Sequence, residues 1–188
     1  MSDRNLMLTT KVILLTGNPE KIESAEKAFE QTELEIEPVE SETPEIQAEN
    51  SLEVARHAVK EALEEYEKPV IREDHSLYLD AIPGFPGPYI SYFDNKITPE
   101  KLLELLQGKE RTGHFEIATV LGLPREGLKE YSFKVPIKIS REVRGDSDSW
   151  TSVLMLREES ETFAESSKDS RLHIWNQNYR RIAEELEQ

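Results

Sequence analysis

What most constrains the fold is a change in hydrophobic period along the chain. Lys11–Thr16 (KVILLT) is a β-branched run that stops at Gly17-Asn18-Pro19, and Glu20–Thr32 then places Ile22, Ala25, Ala28 and Phe29 at helical spacing. Leu34–Val39 predicts a second strand and Glu42–Glu49 a polar loop. From Ser51 onward Leu52, Val54, Ala55, Ala58, Val59, Ala62 and Leu63 form an apolar stripe that ends before Lys68-Pro69, a helix of about four turns. Pro69–Arg72 and Ser76–Ala81 are strand-like on either side of Glu73-Asp74, and the Gly/Pro-rich Pro83–Pro88 predicts a rigid loop. A short helix over Ile97–Leu106 starts at Thr98, with Pro99 at the first helical position. Thereafter the period is that of strands: His114–Leu121, Glu130–Val135 and Ile137–Val143, with a turn at Pro124–Gly127, before a closing helix at Tyr179–Leu186. Helices and strands first and a meander later predict an α/β fold with a mixed sheet, not a parallel stack.

The 188 residues suit one domain, 1–188, or a single core divided into two lobes. Lys plus Arg number 23 against 38 Asp plus Glu, a formal charge of −15, which disfavours a surface that coats nucleic acid. The absence of cysteine removes disulfides, thiolate metal sites and cysteine nucleophiles together. No apolar run approaches the roughly 20 residues that cross a bilayer, and Lys11 follows a short polar start unlike a signal peptide, so the expectation is a cytoplasmic protein that spans no membrane.

Three constellations are candidates for chemistry. Thr16-Gly17-Asn18-Pro19-Glu20-Lys21 lies at a strand-to-helix transition, where a helix N-terminus and a lysine favour phosphate; an ordinary βα turn with a surface lysine is the competing reading. Glu73-Asp74 lies between apolar runs, where two acids need a cation or hydrogen-bond donors; Glu45 is a candidate third oxygen ligand, and a solvated acidic turn is the alternative. Gly84-Phe85-Pro86-Gly87-Pro88-Tyr89 shapes either a pocket wall or a structural turn. Lys60, on the second predicted helix, either lays its stem along apolar surface or is one more solvated charge. His57, His75, His114 and His173 lack zinc-ligand spacing, and no G-x-S-x-G elbow exists.

The order of these motifs resembles the inosine triphosphate pyrophosphatase family, in its archaeal-type variant. The resemblance runs from Thr16–Lys21 (T-G-N-x-x-K) through Pro44-Glu45-Ile46-Gln47, Lys60, Pro69–Asp74 and Gly84–Tyr89 to Phe115, Arg144-Gly145 and Thr162-Phe163-Ala164-Glu165. It implies an elongated, two-lobed α/β fold, a mixed sheet with flanking helices around a cleft, usually in a homodimer. The implied activity is magnesium-dependent cleavage of a nucleoside triphosphate, modified purines among them, to the monophosphate and pyrophosphate. By position, Thr16, Gly17, Asn18, Lys21, Lys60 and Arg171 would hold phosphates, Glu45 and Asp74 magnesium with Glu73 nearby, and Asp74 would orient or deprotonate water.

The departures cluster on the base side. Where the family carries G-F-G-[YW]-D-P, this chain has Asp148-Ser149-Trp150-Thr151-Ser152-Val153, and Trp150 is a candidate shifted stacking surface or a core tryptophan. Arg171 stands where the family has lysine, Trp175-Asn176-Gln177 where it has Ser-His-Arg, and His75 where it has a small hydroxyl residue, so that His75 contacts substrate, competes for metal or packs. Two functions follow: a pyrophosphatase with altered base selection, or a catalytically silent relative that binds a nucleotide or a protein partner.

Overall fold

The computed structural model describes residues 10–40 and 46–187. The chain runs β1 (Thr10–Leu15), α1 (Pro19–Phe29), β2 (Leu34–Val39), α2 (Ser51–Glu65), β3 (Val70–Leu79), β4 (Ile82–Gly87), α3 (Ile90–Asp94), α4 (Pro99–Leu105), β5 (Thr112–Leu123), β6 (Gly127–Ile139), a 3₁₀ turn at Trp150–Ser152, β7 (Leu154–Leu156), α5 (Lys168–Trp175) and α6 (Gln177–Leu186). The described strands form one seven-stranded mixed sheet, ordered β2-β1-β3-β5-β6-β7, with β4 also paired to β3. β1 is parallel to β2 and β3; the remaining pairings are antiparallel. The fold is thus the α/β mixed sheet with flanking helices that the change of period predicts.

Local chemistry explains the helix starts. Asn18 caps α1 through Oδ1, which accepts from the Glu20 N–H at 2.8 Å, and Pro19 occupies the first turn, where a missing N–H costs nothing. At α2 the Asn50 Oδ1 accepts from the Glu53 N–H at 3.0 Å while the Asn50 amide donates to the Glu53 carboxylate at 3.2 Å, a reciprocal cap. The β5–β6 hairpin closes through Arg125 and Gly127, both at positive φ.

Four expectations change. The Glu73-Asp74 pair does not interrupt a strand: β3 is continuous from Val70 to Leu79, because each acid is satisfied on its own face of the sheet. Glu130–Val135 and the start of Ile137–Val143 merge into β6, which ends at Ile139 and whose Pro136 sits opposite His114. The Pro83–Pro88 loop is mostly the short strand β4, which follows β3 antiparallel through a register shift. Helices α3 and α5, too short for a clear period, were not expected.

The core lies on both sheet faces. On one, Val12, Leu14, Ile71 and Leu121 pack against Ala25 and Phe29 of α1 and Tyr179, Ile182 and Ala183 of α6. On the other, Ile13, Leu15, Val70 and Val120 meet Ala55, Val59 and Ala62 of α2. A third cluster joins Leu77, Leu79, Phe115, Ile117, Val135 and Ile137 to Leu102 and Leu106 and to Trp150. Each fully buried Val, Leu, Ile or Phe among them contributes about 1.5–3 kcal/mol. Between the first and third clusters the odd-numbered face of β3 turns polar at Glu73 and His75, opposite Thr119 and Ile117 of β5. The candidate site lies at that interruption.

Candidate active site

The sheet leaves a gap at this point. β1 pairs with β3 only at Val70 and Ile71, and β4 pairs with it only from Leu77, so Arg72–Ser76 present an edge that neither strand covers. The β1–α1 turn abuts that edge. Lys21, in the first turn of α1, donates from Nζ to the main-chain oxygen of Glu73 at 2.8 Å. In the turn itself the Thr16 N–H donates to Val39 O at 2.9 Å and its hydroxyl accepts from the Asn18 N–H at 3.1 Å. Gly17 is exposed beside Glu40, 3.2 Å from where a Cβ would stand. Thr16, Gly17, Asn18 and Lys21 are therefore brought together against β3.

Alternation along β3 separates the two acids. Glu73 is 2% exposed; its Oε1 lies 2.8 Å from His75 Nε2 and its Oε2 accepts from the Thr119 hydroxyl at 3.1 Å. Asn178 of α6 in turn donates to Thr119 Oγ1 at 2.9 Å. The Tyr179 phenol lies on the same side, held well above its ordinary range by burial and by the Glu73 carboxylate. Asp74 faces α2. Burial pushes its carboxyl up, opposed by the charge of Lys21, a hydrogen bond with Ser51 and the charges of Arg72 and His75. A desolvated carboxyl ringed by cations and a hydroxyl is chemically suited both to accept a proton and to bind a divalent ion, since magnesium typically takes one or two protein carboxylates plus phosphate oxygens. Glu73 does not fit that role, because its carboxylate is on the other face and already engaged. Glu45 lies outside the described residues, and among the described residues no three His, Cys, Asp or Glu cluster as a metal set.

A cavity of about 500 Å³ opens on the Glu73 side. Its lining includes the polar and charged Asn18, Glu20, Lys21, Glu73, Lys168 and Arg171 and the aromatic His75, Phe115, Phe163 and Trp175, with Ser147 and Thr151 completing the wall. His75 stacks on Trp175 at 5.9 Å between centroids, and Phe115 and Phe163 meet the indole perpendicularly at 5.6 and 6.0 Å. Arg171 braces the wall: its Nη1 donates to Phe163 O at 3.0 Å and to the Ser166 hydroxyl, and its guanidinium lies 4.9 Å from the Phe163 ring centre. Lys168 is exposed and ion-paired with Glu20.

Two candidates lie elsewhere. Lys60 is exposed on α2, beside the Arg56–Glu130 ion pair. Trp150 is 1% exposed; its indole N–H donates to Ile97 O at 2.7 Å and its main-chain N–H to the Asp94 carboxylate at 2.6 Å, so it belongs to the core and offers no stacking face. Gln47 does meet the Gly84–Tyr89 motif, since Gln47, Gly84, Pro86 and Tyr89 line a separate hollow and the Tyr89 hydroxyl donates to Ala48 O at 3.1 Å. Trp175, Lys168, Ser147 and Thr151 were missed as cavity residues. Their signal was indirect: each falls in or beside a stretch where the expected motif is absent.

The sequence profile of the Ham1 family matches residues 12–178. The chain belongs to the Ham1 family. Its resemblance to the inosine triphosphate pyrophosphatases is thereby borne out. It is 37% identical to a dITP/XTP pyrophosphatase of Ignicoccus hospitalis over 142 residues, 74% of this chain and 76% of that protein. To a dITP/XTP pyrophosphatase of Methanopyrus kandleri it is 32% identical over 167 residues, 87% and 88% of the two chains. The solved structure of a HAM1 protein from Coxiella burnetii superposes with a TM-score of 0.79 at 19% identity, covering 94% of this chain and 98% of that one, which shows the family fold.

Proposed function

We propose that this Ham1-family protein is a magnesium-dependent nucleoside triphosphate pyrophosphatase that converts an NTP or dNTP to the monophosphate and pyrophosphate, with altered base selection. The observation that carries the reading is the placement of Lys21 at the uncovered edge of β3, with Asp74 on one face and on the other a cavity lined by Lys21, Lys168 and Arg171 beside Glu20 and Glu73 and by aromatic rings. Relatives that bear the name dITP/XTP pyrophosphatase over most of their length support it.

In this reading the Thr16–Asn18 turn and Lys21 take the phosphates, with Lys168 exchanging its surface partner Glu20 for substrate. Asp74 orients the attacking water and accepts its proton; burial makes its carboxylate more basic than an exposed one, which suits that task. As the α–β anhydride breaks, the negative charge gathering on pyrophosphate is stabilised by Lys21 without reorganisation, since that ammonium is already fixed by Glu73 O. Magnesium, held by Asp74 with Glu45, would neutralise phosphate charge and acidify the water. Homodimerisation and a cytoplasmic setting are the matching inferences from the family.

The test is pyrophosphate release from inosine, xanthosine and the common tri- and deoxytriphosphates, with magnesium or EDTA, for the native protein and Asp74→Asn. Magnesium-dependent release that the variant lacks supports the reading. Absence of release from every triphosphate transfers the assignment to a silent relative that binds a nucleotide or a protein partner.

A further inference from the structure

The cavity's aromatic part contains residues to which no role attaches, and two of them, His75 and Trp175, stand where the family resemblance has other residue types. Trp150, the tryptophan nearest the expected base-reading segment, is spent on the core. Trp175, the other tryptophan of the chain, lines the cavity at the C-terminal end of α5. A centroid separation of 5.9 Å between nearly parallel rings, at 21°, is an offset stack, so the imidazole of His75 covers only part of the indole face. Phe163 is already overlaid by Arg171. Trp175, held among His75, Phe115 and Phe163 but only partly buried, is thus the large ring that keeps exposed surface at the cavity.

The wall that completes this part of the cavity is made of hydroxyls. Ser147, Ser149 and Thr151 lie 2.7–3.1 Å from one another, and Ser147 and Thr151 line the cavity. A hydroxyl rotates to donate or accept, unlike a carboxylate, which only accepts. Such an edge satisfies a ring carbonyl and an exocyclic amine alike, and discrimination by unpaired buried groups is lost.

We propose that Trp175 is the base-stacking residue of this enzyme and that Ser147 and Thr151 make its base edge permissive, so that keto and amino purine triphosphates are both substrates. This rests on the pyrophosphatase reading above. Stacking is tolerant of base identity because every base has a π face.

The experiment uses Trp175→Phe and Trp175→Leu in the full chain. Because the chain has two tryptophans and Trp150 is buried, quenching of Trp175 emission by ITP or ATP in EDTA reports base contact without turnover, and Trp175→Phe removes that signal. Steady-state rates are measured for ITP and ATP, with inorganic tripolyphosphate as competitive inhibitor. The expected result is that ITP and ATP both quench, that their kcat/KM values lie within about tenfold, and that Trp175→Leu loses about 10- to 100-fold in kcat/KM through KM. Trp175→Phe restores most of that loss, and tripolyphosphate inhibition is unchanged in both.

A native enzyme that turns over nucleotides while Trp175→Leu matches it overturns the stacking role. Parallel weakening of tripolyphosphate and nucleotide in Trp175→Leu marks Trp175 as structural and also overturns it. ITP preferred over ATP by more than about a hundredfold overturns the permissive edge. A native protein that neither hydrolyses nor is quenched by any triphosphate fails at the earlier reading and takes this one with it.

Discussion

Glu73 and Asp74 are adjacent in sequence yet serve opposite faces of β3: Glu73 is sealed against Thr119 and His75, whereas Asp74 faces Ser51 of α2 within the field of Lys21. Their substitutions therefore separate. Asp74→Asn removes the proton acceptor and lowers pyrophosphate release by about 10²- to 10⁴-fold. Glu73→Gln instead weakens a buried network, costing about 1–3 kcal/mol, with a much smaller loss of turnover. Turnover and thermal melting measured side by side check the contrast, and equal activity losses would refute it.

Asp74 also sets a pH dependence of stability. Burial raises its carboxyl above the unfolded value, so the folded state holds the proton more tightly and stability falls as pH rises through the folded value. Above the folded value the metal-free protein carries the cost of a buried charge. Asp74→Asn is accordingly expected to melt higher than the native protein in EDTA at neutral pH, with the difference closing once pH drops below the ordinary carboxylate range. Melting curves across that range test the sign.

Lys21→Met removes both the hydrogen bond to Glu73 O and the cation that holds the Asp74 carboxyl down. Loss of such a preplaced charge costs about 10²- to 10³-fold in kcat. The acid limb of the kcat/KM profile moves to higher pH, because Asp74 then keeps its proton longer. A profile that stays in place would detach Lys21 from Asp74.

The parts of this protein legible in sequence were those whose signals are local. Gly17-Asn18-Pro19 breaks a β-branched run with cap chemistry, so β1 and α1 could be placed within a few residues. The polar centre of β3 was opaque for the opposite reason: Glu73 and Asp74 look like a turn until Thr119 and Ser51, distant in sequence, supply their partners. Trp150 and Trp175 show the same limit. One is a core residue and the other a cavity wall, and nothing within several residues of either distinguishes them. Burial is decided by Ile97 and Asp94 in one case and by His75 and Phe115 in the other.

That contrast is measurable. Trp150→Ala empties a fully packed site and orphans the Ile97 carbonyl, a loss of about 3–5 kcal/mol. For a chain of this size the melting temperature falls by roughly 6–20 °C. The KM for nucleotide, measured well below the melt, stays close to native, because Trp150 does not line the cavity. A selective rise in KM without loss of stability would return Trp150 to the site.

Gly145 joins the two segments that hold the cavity wall. Its φ is +82°, and a Cβ there would stand 2.7 Å from the Ala164 Cβ and 3.0 Å from the Ala164 carbonyl carbon. Around it Arg144 pairs with Glu165 at 2.7 Å, the Thr162 hydroxyl donates to Arg144 O at 3.2 Å, and the Thr162 N–H donates to Glu165 at 2.8 Å. Phe163 and Ala164 line the cavity from this clasp. Gly145→Ala imposes the left-handed conformation on a residue with a Cβ, about 1–2 kcal/mol, and pushes Ala164 away. The outcome is a melting temperature lower by roughly 2–8 °C together with a raised KM for nucleotide, because Phe163 and its partner Trp175 shift with the clasp. Arg144→Met, which loosens the same clasp without backbone strain, should raise KM with a smaller thermal loss. If both variants left KM unchanged, the clasp would have no part in shaping the cavity.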